Sequence, residues 1–365
     1  MFGGGEPGQH AQQRRLPGAV HADQADHVPG GDDEIKAGEQ GSVAVPGGEV
    51  LGDEGGAHGE TVPPRHARPA GHGYDRRVTI GGRASGRLMA ISDLHVAYPE
   101  NREIVEQLRP ESEHDWLLVA GDVGEFFADI EWALRLLSER FAKVVWVPGN
   151  HELWTVRDDP VRARGVERYR RLVEMCRGLG VVTPEDPYPV YDGPGGPVTI
   201  APLFLLYDYT FRPPDLSKEE AMAWAHETGI VCTDEFVLHP DPHPTRDAWC
   251  RARLRETEIR LDSRDPDLPT VLINHWPLTR QPTEVLRYPQ FAQWCGTVES
   301  ADWHLRYNAA AVVYGHLHIP RTTWYDGVRF EEVSLGYPRE RRMYGYDGAK
   351  ALRCVLPAAD GGAGA

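Results

Sequence analysis

Short apolar runs alternate with amphipathic stretches from residue 86 onward. The runs predict buried strands at 88–92, 115–120, 143–147, 270–273 and 310–314, and a hairpin of 321–325 with 328–333 around the turn signal Asp326-Gly327. Helical patterns occupy residues 102–108, 129–141, 165–177 and 245–262. Because strands that alternate with helices are typical of βαβ units, the pattern predicts an α/β fold.

The first 85 residues lack this pattern. They contain 19 of the 39 glycines, and no aromatic residue occurs between Phe2 and Tyr74. Such a segment buries too little apolar surface to offset the entropy lost on ordering, so residues 1–85 are predicted to be a disordered low-complexity extension. Residues 86–342 are expected to form one domain, and residues 343–365 a divergent C-terminal tail.

Composition restricts the class of partner. A net charge of −16 disfavours nonspecific binding of nucleic acid, which needs a basic surface. No apolar run approaches the ~20 residues of a membrane span. Five widely spaced cysteines, without a CxxC pair, favour reduced thiols. Because the start of the chain also lacks a leader-like segment, the protein is expected to be cytoplasmic, with neither nucleic acid nor membrane as a partner.

Polar residues follow five of the predicted strands. They are Asp93, His95, Asp122, Asn150, His275, His316 and His318. Loops at the carboxyl ends of strands in an α/β sheet converge, so these side chains are expected to lie together. Carboxylate, amide and imidazole groups in one set favour Mn²⁺ or Fe, with Zn²⁺ as an alternative, over Mg²⁺ or Ca²⁺. Seven ligands are too many for one tetrahedral ion and suit two ions that share a bridge.

The segments DLH, GD, GNHE, NH and GHLH, in this order, resemble the calcineurin-like metallophosphoesterase superfamily over about residues 87–338. The resemblance implies a four-layer αββα sandwich, in which two sheets are flanked by helices. It also implies a phosphoesterase in which a hydroxide that bridges two metal ions attacks phosphorus.

Carried over position by position, the resemblance assigns the ligands. One ion is then held by Asp93, His95, Asp122 and His318, and the other by Asp122, Asn150, His275 and His316. Asp122 would bridge the ions, and His151 would be a catalytic residue that faces the substrate and stabilises or protonates the leaving oxygen. Some superfamily members carry an Asp and an Arg soon after GD. This chain has Gly124-Glu125-Phe126 there, so the role of Glu125 stays open.

Longer segments resemble one branch, the 4′-phosphopantetheinyl hydrolases. They include WLLVAGD at 116–122, FAKVVWVPGNHELW at 141–154, VYGHLHIPRTTWYDGVRF at 313–330 and GYPRE at 336–340. This branch cleaves the phosphodiester between a carrier serine and the prosthetic group. The resemblance therefore implies that phosphopantetheinylated acyl carrier protein is the substrate and partner.

Contacts with that substrate are expected from Arg321 near a phosphate oxygen and from Trp276 and Tyr207 along an apolar trough. Carrier proteins are acidic, and so is this chain, so long-range charge opposes their encounter. Arginine-rich stretches at 162–171 and 339–342 are candidates for a local basic patch, although a solvated helix face is the alternative for the first.

Two other functions stay open. One is a phosphodiesterase or phosphatase that acts on nucleotides or other small phosphoesters. The other is a catalytically silent binding scaffold, as in superfamily members that have lost ligands. The complete set of seven ligands favours catalysis.

Overall fold

The computed structural model describes residues 86–358, which form two β-sheets and the helices around them. The extension predicted at 1–85 lies outside the described residues, as do residues 359–365. The strands are β1 (Leu88–Ile91), β2 (Trp116–Val119), β3 (Lys143–Trp146), β4 (Val190–Tyr191), β5 (Val198–Pro202), β6 (Thr270–Ile273), β7 (Ala309–Tyr314), β8 (Arg321–Tyr325), β9 (Val328–Glu332) and β10 (Arg353–Leu356). The α-helices are α1 (Pro99–Gln107), α2 (Phe127–Ser138), α3 (Asn150–Leu153), α4 (Gly165–Gly178), α5 (Lys218–Glu227), α6 (Asp234–Val237), α7 (Arg246–Asp262), α8 (Trp303–Arg306) and α9 (Pro338–Tyr344). Within residues 86–358, none of them combines the length and apolar character needed to cross a bilayer.

The two sheets are mostly parallel. One has the strand order β10-β1-β2-β3 and the other the order β4-β5-β6-β7-β9-β8. Strands β1 to β3 run parallel, as do β5, β6, β7 and β9, whereas β10, β4 and β8 pair antiparallel at the edges. The carboxyl ends of the central strands in each sheet therefore share one edge, where ligand-binding loops gather.

Successive side chains of each strand point to opposite faces of its sheet, and this alternation separates the layers of the fold. In β1, Leu88 and Ala90 pack between the sheets with residues of the second sheet such as Val271. Met89 and Ile91 point the other way, into the core that includes the buried side of α2. Because each sheet is covered by the other sheet on one face and by helices on its other face, the prediction of a four-layer αββα sandwich is confirmed.

The sequence pattern did not predict β4, β5 or β10. Strand β10 pairs antiparallel with β1, and its Val355 and Leu356 are buried. The folded part therefore continues beyond residue 342, the end of the domain expected from the sequence. Strand β10 has only four residues and begins with Arg353, which is too little to identify a strand by periodicity, and its pairing partner lies more than 250 residues earlier in the chain.

Arg168 in α4 is fully buried and joins three parts of the fold. Its Nη1 lies 3.0 Å from Oδ2 of Asp159, its Nε donates to the carbonyl of Glu152 at 2.6 Å, and its Nη2 donates to the carbonyl of Glu125 at 2.6 Å. The guanidinium thus anchors α4 to the loops that follow β2 and β3. Arg168 is therefore a structural residue and not part of the basic patch considered for 162–171.

Replacing Arg168 by Ala is expected to destabilise the protein by about 3–5 kcal/mol, because the buried Asp159 carboxylate loses its cationic partner. Urea unfolding followed by tryptophan fluorescence measures the change. Arg170→Ala is the matched control. Arg170 is exposed on the same helix in an ion pair with Glu167, so its loss is expected to cost no more than about 0.5 kcal/mol. Equal unfolding midpoints for the two variants would contradict the anchoring role.

Candidate metal centre

The loops that follow β1, β2, β3, β6 and β7 bring all seven predicted ligands together. They form a first group of Asp93, His95 and His318 and a second group of Asp122, His275 and His316, with Asn150 in contact with the second group. Within each group of three, one potential ligand atom from each residue lies within 4.8 Å of the others.

The first group is held by short contacts. His318 Nε2 lies 3.0 Å from Oδ1 of Asp93 and 3.3 Å from Nε2 of His95. The second oxygen of Asp93 accepts from the hydroxyls of Ser92 at 2.5 Å and Ser334 at 2.7 Å. These two hydroxyls fix the carboxylate so that its other oxygen faces the histidines. The backbone amide of His316 reaches the same carboxylate at 3.1 Å, which joins the two groups.

The second group places hydrogen-bond acceptors against one another. His275 Nδ1 donates to the carbonyl of Ala120 at 2.9 Å, so its Nε2 faces the other ligands. That Nε2 lies 3.1 Å from Oδ1 of Asn150, 3.3 Å from Oδ2 of Asp122 and 3.1 Å from Nδ1 of His316. Each of these atoms offers a lone pair, and buried lone pairs that converge need a proton or a cation between them.

The pKa values of two histidines lead to the same conclusion. Burial lowers the pKa of His275, but the charge and hydrogen bond of Asp122, together with Asp93 and the carbonyl of Ala120, outweigh burial and raise it to about 9. Burial and the neighbouring His275 lower the pKa of His316 to about 3, so that ring is neutral and has a lone pair available. The cluster thus favours a positive charge and offers neutral imidazole, which suits a divalent transition metal. The residues present fit a divalent-metal centre.

Five of the seven predicted ligands have left-handed backbone. Their φ angles are 53° at Asp93, 40° at His95, 54° at Asp122, 70° at His316 and 54° at His318. Non-glycine residues rarely adopt this region, and it costs of order 1–3 kcal/mol at each position. Such strain persists only where the surroundings enforce it. The left-handed backbone turns each of these side chains sharply off the end of its strand toward the common centre.

Two glycines allow the backbone to approach the ligand carboxylates. A Cβ atom on Gly149 would collide with the carboxylate of Asp122, and one on Gly315 would collide with that of Asp93. The glycines of the GN and GH segments are therefore required by space, since only glycine leaves room for these contacts.

His151 lies beside the two groups with its ring held on both sides. Its Nδ1 is 2.7 Å from Oε1 of Glu125, and its Nε2 is 3.8 Å from Oδ2 of Asp122. The ring stacks on Trp154 at a centroid distance of 3.7 Å. Burial would raise the pKa of Glu125, but its hydrogen bond with His151 holds that pKa well below the ordinary value. Glu125 therefore holds the Nδ1 side of the His151 ring by a short hydrogen bond.

Two acids behind the ligands were not assigned a role from sequence. Glu340 in α9 places Oε2 2.7 Å from Nδ1 of His318, so that Nε2 of this ring faces Asp93. Glu152 accepts from the backbone amides of Asp122 and Gly149, both at 2.9 Å. Burial, followed by the charge of Asp122, raises the pKa of Glu152 to about 7.

The sequence carried a partial signal for these two acids. Glu152 is the last residue of the GNHE segment, and Glu340 is the last residue of GYPRE at 336–340. Their positions in segments of the resemblance mark them, but only the fold shows which atoms they contact.

None of the three predicted substrate contacts is among the residues that line the cleft. Tyr207 and Trp276 are both fully buried, and Trp276 packs edge-on against His275 at 4.9 Å. Trp276 packs against the predicted ligand His275, and Tyr207 packs against Trp276, so neither of them lines a trough. Arg321, at the start of β8, donates to the carbonyl of Pro282 at 3.0 Å and is absent from the residues that line the cleft.

The cleft in front of the metal ligands has a mixed wall. Beyond the ligands and His151, it is lined by Trp154, Cys232, Thr233, Asp234, Phe291 and Tyr337. The order of the chain gave no reason to group these residues, because they come from four separate segments.

The arginine-rich stretches are largely neutralised by acidic neighbours. Arg170 and Arg171 both pair with Glu167 at 3.0 Å, and Arg342 pairs with Glu100 at 2.6 Å. The exposed arginines of α4 therefore form a solvated helix face and not a basic patch.

Two face-to-face sheets with paired groups of metal ligands at their strand ends are the arrangement of a metallophosphoesterase. A model of the calcineurin-like phosphoesterase family matches residues 86–320, well over half of the chain, and the chain belongs to this family. It is thus a metal-dependent hydrolase of phosphoric esters.

One relative and one solved structure, both named PptH, come from Mycobacterium tuberculosis. The chain is 58% identical over 283 residues to the [acyl-carrier-protein] phosphodiesterase PptH of strain ATCC 25618 / H37Rv, a match that covers 76% of this chain and 85% of the relative. The crystal structure of phosphopantetheinyl hydrolase (PptH) from this organism aligns with a TM-score of 0.74 at 57% identity, and covers 78% of this chain and 100% of that one.

Replacing Glu340 by Ala is expected to weaken metal binding about 10–100-fold, because His318 loses the carboxylate that fixes its ring. Titration of metal-stripped protein with Mn²⁺ in a calorimeter measures the dissociation constants. Glu340→Gln keeps an acceptor oxygen and is expected to recover part of the affinity. Glu103→Ala, at an exposed position of α1, is the control and should match the unchanged protein. Unaltered affinity in Glu340→Ala would refute the support given to His318.

Proposed function

We propose that the protein hydrolyses the phosphodiester that links 4′-phosphopantetheine to a serine of acyl carrier protein. The observation that carries this proposal is the 58% identity to PptH, which spans 85% of that phosphodiesterase. The structural similarity to phosphopantetheinyl hydrolase extends over that entire chain. Such similarity supports a shared substrate class, and the family match at residues 86–320 contains all seven predicted ligands and His151.

The ligand assignment inferred from sequence is proposed for the same site. Asp93, His95, Asp122 and His318 hold one cation, and Asp122, Asn150, His275 and His316 hold the other. The two groups of converging acceptors support this assignment. The mixture of nitrogen and oxygen donors favours Mn²⁺ or Fe. When bound, a pair of divalent cations supplies a nucleophile from water at neutral pH and neutralises charge on the phosphoryl oxygens.

In this proposal His151 is the group that serves the leaving oxygen. Water gives up one proton to solvent and attacks phosphorus, the bond from phosphorus to the serine oxygen breaks, and a proton from Nε2 of His151 passes to that oxygen. The Glu125 carboxylate accepts from Nδ1–H and offsets the positive charge of a doubly protonated ring, whose second proton, on Nε2, faces the cleft. Stacking on Trp154 limits rotation of the ring.

A cytoplasmic location is proposed on the basis of the thiols. All five cysteines lie within the described residues as free cysteines, and four of them are buried. Such thiols are typical of proteins that fold in a reducing compartment.

With Mn²⁺ and holo-acyl carrier protein, the enzyme is expected to convert the carrier to its apo form. Intact-protein mass spectrometry detects the conversion as loss of one phosphopantetheine from the carrier. Bis(p-nitrophenyl) phosphate provides a parallel assay of general phosphodiesterase activity. Hydrolysis of this compound with the carrier left intact would reject the carrier as substrate and favour small phosphoesters. No hydrolysis of either substrate by metal-loaded protein would favour a binding scaffold.

His151→Ala is expected to lower kcat for the carrier roughly 10²–10⁴-fold, because the leaving oxygen loses its proton donor. Metal content, measured by inductively coupled plasma mass spectrometry, should stay at the unaltered level, since His151 is not proposed as a ligand. His226→Ala provides the matched control, because this histidine is exposed on α5 away from the cleft lining. A kcat within about twofold of the unaltered enzyme would rule out the proposed proton donation.

A further inference from the structure

Asp234 is a fully buried acid that contacts Asn150 and Trp154 beside the candidate metal centre. It is the first residue of α6, 84 positions after Asn150. Its Oδ1 accepts from Nδ2 of Asn150 at 3.0 Å and from Nε1 of Trp154 at 2.7 Å. One carboxyl oxygen therefore contacts both a predicted ligand and the ring that stacks on His151.

The segment that carries Asp234 is firmly attached. Arg246 donates to the backbone carbonyls of Asp234 and Glu235, each at 2.7 Å, and pairs with the carboxylate of Glu235 at 2.8 Å. The amide of Thr155 donates to the carbonyl of Val237 at 2.9 Å, directly after the strand-like bridge between residues 154 and 238. The carboxyl of Asp234 is thus fixed relative to α3, the helix of Asn150.

An asparagine side chain is ambiguous as a ligand. Its oxygen can bind a cation and its NH₂ group cannot, yet the two ends have nearly the same shape. In the structure, Oδ1 of Asn150 faces Nε2 of His275 at 3.1 Å and Nδ1 of His316 at 3.2 Å, while Nδ2 faces Asp234. A carboxyl oxygen that already accepts from Trp154 offers the NH₂ group an acceptor, and it would repel the amide oxygen in the reversed orientation.

We infer that Asp234 is a positioning residue that fixes the amide of Asn150 with its oxygen toward His275 and His316. It thereby sets the affinity of the second group of ligands for its metal ion. Asp234 acts through Asn150 and does not itself need to contact metal or substrate. The inference depends on the two-metal assignment of the proposed function, but not on which phosphodiester the protein hydrolyses.

The test compares Asp234→Ala in two backgrounds by calorimetric titration of the metal-stripped, full-length protein with Mn²⁺. With Asn150 present, loss of Asp234 is expected to weaken one of the two sites about 10–100-fold and to leave the other within about twofold. With Asn150→Asp, both ends of the side chain are oxygen and need no orientation. Addition of Asp234→Ala to that background should therefore weaken neither site, and it also removes the repulsion between the two carboxylates.

Two further variants separate positioning from general stability. Asp234→Asn keeps an accepting oxygen and is expected to recover most of the affinity. Asp115→Ala removes a buried acid that accepts from the amides of Glu111 and Ser112, beside the opposite end of β2, and it should leave both sites unchanged.

Three outcomes would overturn the inference. They are wild-type affinity at both sites in Asp234→Ala, equal weakening of both sites, and an equal loss in the Asn150 and Asn150→Asp backgrounds. Should Asp234→Ala fail to fold, the double variant Asn150→Asp with Asp234→Asn replaces it, since it conserves the size of both side chains. This pair is expected to retain both sites, and loss of the second site would reject the inference.

Discussion

The central physical constraint in this protein is the convergence of buried acceptor atoms at the ends of parallel strands. Nε2 of His275 faces oxygens of Asp122 and Asn150 and a nitrogen of His316, all within 3.3 Å. Such an arrangement is unfavourable unless a positive charge lies between the lone pairs. The left-handed backbone at Asp122 and His316 has the same origin, because the strain is retained where the side chains must meet.

Acidic side chains from distant parts of the chain fix the orientation of two predicted ligands and of His151. Glu340 contacts His318, Asp234 contacts Asn150, and Glu125 contacts His151. In each case a carboxyl oxygen accepts from the atom that does not face the centre. The other end of the ring or amide is thereby directed inward, which reduces the reorganisation needed when a cation or substrate binds.

The surface charge bears on how a macromolecular substrate would reach this site. The chain has a net charge of −16, and exposed arginines such as Arg170 and Arg342 are paired with acids of the same chain. Because their charges are paired, these arginines attract an acidic carrier only weakly over long distances. Encounter would depend instead on contacts near the cleft, whose walls include Phe291 and Tyr337.

The sequence by itself predicted which seven residues meet at the candidate metal centre, the five strands that precede them and the layered α/β fold. These features are local, because each ligand follows its own apolar run within a few residues. Only the tertiary structure decided that Asp234 and Glu340 orient ligands, that Tyr207 and Trp276 are buried, and that β10 completes the first sheet. Those features depend on contacts between residues far apart in the chain, and no local periodicity or spacing encodes which distant side chains will meet.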